Sequence, residues 1–407
     1  MVSKGWRFQG KELEYVKEVL DSGFGASTEG GMCQRLERKF AEKVGAKFGI
    51  TFNSGTSTMH SCLAAAGVGP GDEVIVPALT VISTANVVMH QNAVPIFADI
   101  SPDTFNIDPE DVKRKITPRT KAIIPVSLYG LAADFDPLME LAKKHNLVVI
   151  EDDAQAPMAI YKGRTTGSIG HMSSFSFENS KHMTTGDGGM VTTSDELLAE
   201  KIRKHGCLGF RAVQAGDGRV RTHKDELQDP DYKRHDSFGW NYRLPEVAAA
   251  VGLAQLEKLD FFVDLRQKIA ALYAQAISGC NWLVPQYVPE GYTNAYYTYA
   301  VKFEGKKKGI SWQDFRKKYM EFGGDGIYAA WSVVYLETVF QKGEFYGKGC
   351  PIHCPLYKGN VKYEKGLCPV AEEIQPKLMQ FVNNYSSLEE AKPKVEALRK
   401  AIKFYGG

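Results

Sequence analysis

Long hydrophobic runs are missing from this chain of 407 residues. No stretch approaches the ~18 uninterrupted apolar residues that a membrane helix needs, and the N-terminal MVSKGWRFQGKELEYV carries no apolar signal segment. The expectation is a cytoplasmic protein with no membrane partner. A surplus of one charge is missing too: 50 Lys and Arg stand against 48 Asp and Glu, spread along the sequence. Nucleic acid is therefore not indicated as a partner, and any bound anion must be met by local groups. Cysteine is sparse. Cys33, Cys62, Cys207, Cys280, Cys350, Cys354 and Cys368 are odd in number and scattered, which argues against a disulfide framework and for reduced thiols. Their one cluster, Cys350-Pro-Ile-His353-Cys354, has no second C-x-x-C or H-x-x-H pair to finish a tetrahedral site, so no metal is expected. Repeats and low-complexity blocks are absent as well.

What is present is apolar mass: 43% of 407 residues is more than one core usually absorbs, which predicts a large domain and a smaller one. Short β-rich runs at Phe48–Phe52, Glu73–Pro77, Pro95–Ile100, Lys121–Val126 and Leu147–Ile150 alternate with helix-like stretches at Ser57–Ala66, Val81–Gln91, Asp108–Lys115 and Pro137–His145. Several of the strands are near-continuous apolar runs, as suits strands covered on both faces, so the reading is an α/β fold with a largely parallel sheet. Ser173–Phe177 and Met190–Thr193 extend the sheet around the polar stretch Glu178–Gly189, and helix-like Asp195–Lys204 follows. From Cys207 to His235 the chain turns to Gly, Asp, Arg and Lys without periodicity, a long excursion. Helical spacing returns at Leu244–Leu259, with Pro245 where a first turn tolerates it, and at Phe261–Ala276. The boundary is placed there, giving domains 1–259 and 260–407. Tyr292–Phe303 is read as a strand of the smaller domain and Leu388–Phe404 as a closing amphipathic helix.

Three segments carry chemistry. Asn53-Ser54-Gly55-Thr56-Ser57 lies between a strand and a helix, where exposed N–H groups and the helix dipole favour a phosphate and Gly55 allows close approach; an ordinary capped turn has the same composition. Glu151-Asp152-Asp153-Ala154-Gln155 ends an apolar strand in carboxylates at the ligand-binding edge of the sheet, though helix capping would use the same residues. Lys181, in SFSFENSKHMTTGDGG, sits in a turn-rich Ser/Thr/Gly segment that can hold an amine near a carbonyl for imine formation; most lysines are solvated surface charges.

Together with GPGDEVIVPALT (Gly69–Thr80), FADISPDTFNID ending at Asp108, ITPRTKAIIPVSLYG (Ile116–Gly130), GWNYRLPEVAAAVGLAQL (Gly239–Leu256) and CPVAEE (Cys368–Glu373), these blocks resemble, in order, the DegT/DnrJ/EryC1/StrS sugar aminotransferases of the aspartate-aminotransferase fold type. The resemblance implies a pyridoxal 5'-phosphate (PLP) enzyme of the PLP-dependent transferase fold. Its large domain would carry a mixed, mostly parallel sheet of the seven-stranded type, with a smaller C-terminal α+β domain. Lys181 matches the family's Schiff-base lysine, which also shuttles the proton. Asp152 matches the acid paired with the pyridine nitrogen, Gln155 the amide lying against the ring, Gly55 and Thr56 the phosphate turn, and Ser176 a hydroxyl on the same phosphate. Asn241 matches an amide reaching the phosphate from a neighbouring subunit, which implies a homodimer with shared active sites.

Two positions depart from the pattern. Val81 stands where relatives usually stack an aromatic residue on the cofactor ring, a contact worth ~1 kcal/mol that valine replaces by packing. Ser127 stands where many relatives carry histidine. The implied reaction passes an amino group from glutamate or glutamine to a keto-sugar in ping-pong order, most readily a nucleotide-linked 4-keto or 3-keto deoxyhexose in amino-sugar biosynthesis. A keto-cyclitol such as an inosose is the alternative acceptor, because the segment Tyr328–Tyr363 is bulky; its Trp331, Tyr335, Phe340 and Tyr346 either line an acceptor pocket or build core. PLP-dependent dehydration of a sugar is the alternative reaction. Relatives that dehydrate carry histidine at the lysine position, whereas here His182 is adjacent and out of frame. A cofactor-binding regulator without catalysis is the remaining class.

Overall fold

Seven strands make the main sheet: β1 (Phe48–Phe52), β2 (Glu73–Pro77), β3 (Val94–Ala98), β4 (Thr120–Ile123), β5 (Val148–Asp152) and, after the hairpin strands β6 (Ile160–Tyr161) and β7 (Arg164–Thr165), β8 (Met172–Ser176) and β9 (Gly189–Thr193). In this computed structural model, which describes residues 5–25, 30–218 and 222–406, their order is β1-β9-β8-β5-β4-β2-β3. β9 runs against both neighbours and the other pairings are parallel. The apolar runs end up buried as expected, β2 at all five residues. Strand ends differ from expectation for local reasons. β4 stops at Ile123 because Pro125 has no N–H for the ladder, and Val126 returns only as an isolated bridge to Asp152. β3 stops at Ala98 because the Asp99 carboxylate turns to accept the N–H groups of Val370 (2.9 Å) and Ala371 (2.8 Å).

Helices Gly55–Ala65, Ser83–His90, Pro109–Lys115 and Phe135–His145 occupy the predicted intervals between these strands. Helix Glu246–Glu257 starts after Pro245, which stands at its N-cap rather than within the first turn. The excursion after Cys207 is pinned by bridges Cys207↔Asn241 and Phe210↔His235 and contains a short helix at Lys224–Gln228; its residues 219–221 lie outside the described residues.

The later strands are β10 (Leu283–Pro285), β11 (Tyr292–Thr293), β12 (Tyr299–Phe303), β13 (Tyr328–Ala329) and β14 (Leu378–Phe381), and four of them form an antiparallel sheet in the order β10-β12-β14-β13. Helices Leu259–Ile277, Trp312–Glu321 and Leu388–Phe404 contribute to its core, which includes Ile269, Tyr273, Trp282, Phe315, Met379 and Leu398. Tyr292–Phe303 is therefore not one strand. β11 pairs with β6, and β12 begins only after a bend at which Tyr296 takes φ 51° and Asn294 Oδ1 accepts its N–H at 2.6 Å. Gly130 backs that bend so closely that a Cβ would lie 2.5 Å from Tyr296 N.

Tyr335 and Phe340 belong to the main core, where with Tyr363 they surround Phe97 at ring separations of 5.3–5.4 Å. Tyr346 donates its hydroxyl to Met89 O at 2.9 Å. Among the described residues no helix is long and apolar enough to cross a membrane, and no cluster of three His, Cys, Asp or Glu has metal-site geometry.

Candidate active site

The carboxyl ends of β1, β2, β5 and β8 open onto one cavity of about 330 Å³, whose lining includes Gly55, Thr56, Val81, Asp152, Gln155, Ser176 and Lys181. Each strand end delivers one part of the lining. After β1, the Ser54 hydroxyl caps helix Gly55–Ala65 by accepting Ser57 N–H at 3.1 Å, while Asn53 Oδ1 accepts the Ser57 hydroxyl at 2.7 Å. The first turn of that helix, Gly55 and Thr56, faces the cavity, and first-turn N–H groups have no partner within a helix. Gly55 is required by contact with β8, since a Cβ there would lie 2.8 Å from Ser176 Cβ. Gly55→Ala is expected to push the helix start off β8 at a cost of about 1–3 kcal/mol, read as a lower melting temperature together with weaker phosphate or cofactor retention.

At the end of β5, Asp152 is buried, its Oδ2 accepting the Thr84 hydroxyl at 2.9 Å and its Oδ1 the Ala154 N–H at 3.3 Å. Burial pushes this carboxyl above the usual range, against the pull of Thr84, the Ala154 N–H and the Lys181 charge. Gln155 is held by the Tyr129 N–H, which donates to Oε1 at 2.8 Å, with Tyr129 in the left-handed region at φ 60°. That leaves the amide nitrogen as the donor Gln155 can offer the cavity.

Lys181 lies on the loop between β8 and β9. The loop is closed at its base, Phe177 N–H donating to Gly188 O (2.9 Å) and Thr185 N–H to Phe177 O (3.0 Å). From the N-terminal segment, Arg7 donates to the carbonyls of Asn179 (2.9 Å), Lys181 (2.6 Å) and His182 (2.9 Å). The lysine backbone is thus gripped while Nζ sits 4.7 Å from the centre of the Tyr297 ring, and the Tyr297 hydroxyl meets Ser180 Oγ at 2.8 Å. His182 is buried elsewhere, its Nε2 2.9 Å from Ala295 O; burial and the charge of Arg266 hold it well below the usual histidine range, hence neutral.

Trp331 is the aromatic of the 328–363 segment that reaches the cavity, 39% exposed, on a strap tied down by Val334 N–H to Ala78 O at 2.9 Å. Asn241 does not line the cavity; it is exposed, beside Phe238 and Trp240, which are 79% and 44% exposed. Ser127 donates to Asp153 Oδ1 at 2.7 Å. Sequence reasoning missed Arg7, Thr84 and Tyr297. Thr84 sits within the recognised ALTVIST stretch and Tyr297 within an alternating aromatic run, but Arg7 has no local signal because its partners are more than 170 residues away.

Known proteins are similar to this chain in sequence and fold. GDP-perosamine synthase of Caulobacter vibrioides is 42% identical over 273 residues, 67% of this chain and 68% of that protein. The aminotransferase from Psychrobacter cryohalolentis superposes with a TM-score of 0.82 at 32% identity, covering 97% of both chains. DesV of S. venezuelae, solved in complex with a ketimine intermediate, superposes with a TM-score of 0.80 at 28% identity, covering 97% of this chain and 94% of DesV. Residues 7–392 match the DegT/DnrJ/EryC1/StrS aminotransferase family, and the chain belongs to it.

Proposed function

We propose that this aminotransferase binds pyridoxal 5'-phosphate through Lys181 and transfers an amino group from glutamate or glutamine to a nucleotide-linked 4-keto or 3-keto deoxyhexose. The observation that carries this reading is the meeting of an amine, a buried acid, an oriented amide and a helix N-terminus on one cavity. These residues fit the cofactor. Gly55, Thr56 and Ser176 offer uncharged donors suited to a phosphate, and the Gly55–Ser176 approach leaves no room for a side chain between them. Asp152 is the anion for a ring nitrogen and Gln155 the amide for the ring edge, while Val81 packs where no aromatic stands. Pyridoxal phosphate, when bound, supplies the electron sink that makes a C–H bond beside nitrogen breakable. Lys181 takes and returns the proton at that carbon, Tyr297 backs its amine, and Arg7 fixes its backbone.

The name of the Caulobacter relative supports a nucleotide sugar as acceptor. The dehydratase reading loses support, because Lys181 lines the cavity and His182 does not. We further propose a homodimer in which the exposed Asn241 reaches the cavity of a second copy, the exposed Phe238 and Trp240 giving that surface an apolar contact. The test is incubation with pyridoxal phosphate, glutamate or glutamine, and a GDP-linked 4-keto deoxyhexose. Keto acid and amino-sugar formed one for one support the reading; acceptor consumed without donor means dehydration, and no conversion of any keto-sugar overturns it.

Trp331, half-exposed on the cavity wall, is the aromatic side chain we assign to stacking on the acceptor. Trp331→Ala is expected to raise the acceptor KM by up to about tenfold, the loss of a stacking contact of roughly 0.5–1.5 kcal/mol, and to leave the donor half-reaction unchanged in single-turnover measurements.

A further inference from the structure

Three carboxylates follow one another at the end of β5, and all are buried: Glu151 (0% exposed), Asp152 (4%) and Asp153 (0%). Asp153 is the first residue past the strand, its N–H donating to Ser174 O at 2.9 Å. Their hydrogen-bond donors are very unequal. Glu151 accepts four: the N–H groups of Gly167 (3.0 Å), Ile169 (2.8 Å) and Gly170 (2.7 Å) and the Ser173 hydroxyl (2.7 Å). Asp152 accepts two and faces the cavity. Asp153 accepts one, from Ser127, and its Oδ2 is buried with no partner.

A buried carboxylate oxygen with no donor is costly, and a second anion beside it makes the cost larger. The groups acting on Asp153 are Glu151 and Asp152 at the end of β5 and Ser127 on the segment after β4, and none of them is cationic. Of the two carboxylates acting on Asp153, Glu151 acts the more strongly. Two neighbouring acids with no cation resolve this by sharing one hydrogen, and it resides on the acid with fewer donors. A hydrogen on Asp153 Oδ2, donated to Glu151, satisfies the orphan oxygen and removes one negative charge from the strand end.

We propose that Asp153 is a neutral carboxylic acid at neutral pH, sharing its hydrogen with Glu151, and that it is a positioning residue keeping like charge from gathering behind Asp152. Burial and the two neighbouring carboxylates push its affinity for the proton well above the usual carboxylate range. The hydrogen-bond geometry stands without any cofactor; only the benefit to Asp152 rests on the proposed function.

The linkage has a definite sign. The proton of Asp153 is held in the folded chain and lost in the unfolded chain above about pH 4, so this group costs the wild type stability as pH rises towards its folded value. Asp153→Asn keeps the shape and the donor to Glu151 and never ionises. Its melting temperature should therefore rise relative to wild type between pH 5 and pH 8, in apoprotein and holoenzyme alike. Infrared difference spectra at pH 7 should show the stretch of a protonated carboxylic acid in wild type that D153N lacks. Where D153N does not fold, Ser127→Ala gives the same reading. It removes the donor to the ionised form, so its acid band should persist to higher pH than that of wild type. No acid band at pH 7 in wild type, or a D153N protein destabilised equally at every pH, overturns the proposal. Neither result touches the role of Lys181, which is tested separately by labelling.

Discussion

Lys181→Ala is expected to lower amino transfer by about 10⁴-fold or more, while the melting temperature stays close to that of wild type. The size of the loss follows from what surrounds the cavity. Lys181 is the one amine among the residues that line it. His182 is turned to Ala295 and held neutral, and Arg7 is spent on three carbonyls, so no neighbour is placed to take over. The small effect on stability follows from the same geometry. The loop is held by backbone contacts, by Arg7 and by Thr184 donating to Phe177 O at 3.0 Å, whereas the Lys181 amine rests on the Tyr297 ring. Donor turnover and thermal melting on one preparation check both halves. A large fall in melting temperature would make Lys181 a structural residue instead.

Asp152→Asn is expected to lower turnover by about 10²–10³-fold and to weaken cofactor retention, the loss of one buried charge facing a developing cation. Asparagine keeps the shape and can still accept from Thr84, though its NH2 replaces the oxygen that accepts the Ala154 N–H, so the effect combines the lost charge with one long hydrogen bond. The pH profile carries a second signature. In the proposed function Asp152 acts in its ionised form, and burial raises its affinity for a proton, so activity should fall on the acid side at a higher pH than an ordinary aspartate would set. Thr84→Ala removes a donor to the ionised form and should move that acid limb higher still, with no matching shift on the alkaline side. A profile indifferent to Thr84 would contradict the assignment.

Much of this architecture was legible because hydrophobic patterning and burial coincide. β2 and β5 read as apolar runs for the reason that they lie inside a covered sheet. The candidate residues at their ends could be picked out because strand, turn and helix follow closely in the chain, and the structure brings Gly55, Thr56, Asp152, Gln155, Ser176 and Lys181 onto one cavity. What was illegible depends on contacts distant in sequence. The aromatics of the 328–363 segment look alike in sequence, yet Tyr335 and Phe340 fill space around Phe97 while Trp331 reaches the cavity; only the anchoring of Val334 to Ala78 decides this. Tyr292–Phe303 alternates like one strand, and the bend that splits it depends on Gly130 fitting against Tyr296. In sequence Ser127 is only a departure from the family pattern; its donation to Asp153 Oδ1 at 2.7 Å depends on a residue 26 positions away.

The most direct test of the central claim is borohydride reduction of the purified holoenzyme followed by peptide mass mapping. One reduced phosphopyridoxyl group on the peptide that carries Lys181, absent from the Lys181→Ala protein, is the predicted result. A label on another lysine, or none after loading with pyridoxal phosphate, would contradict it.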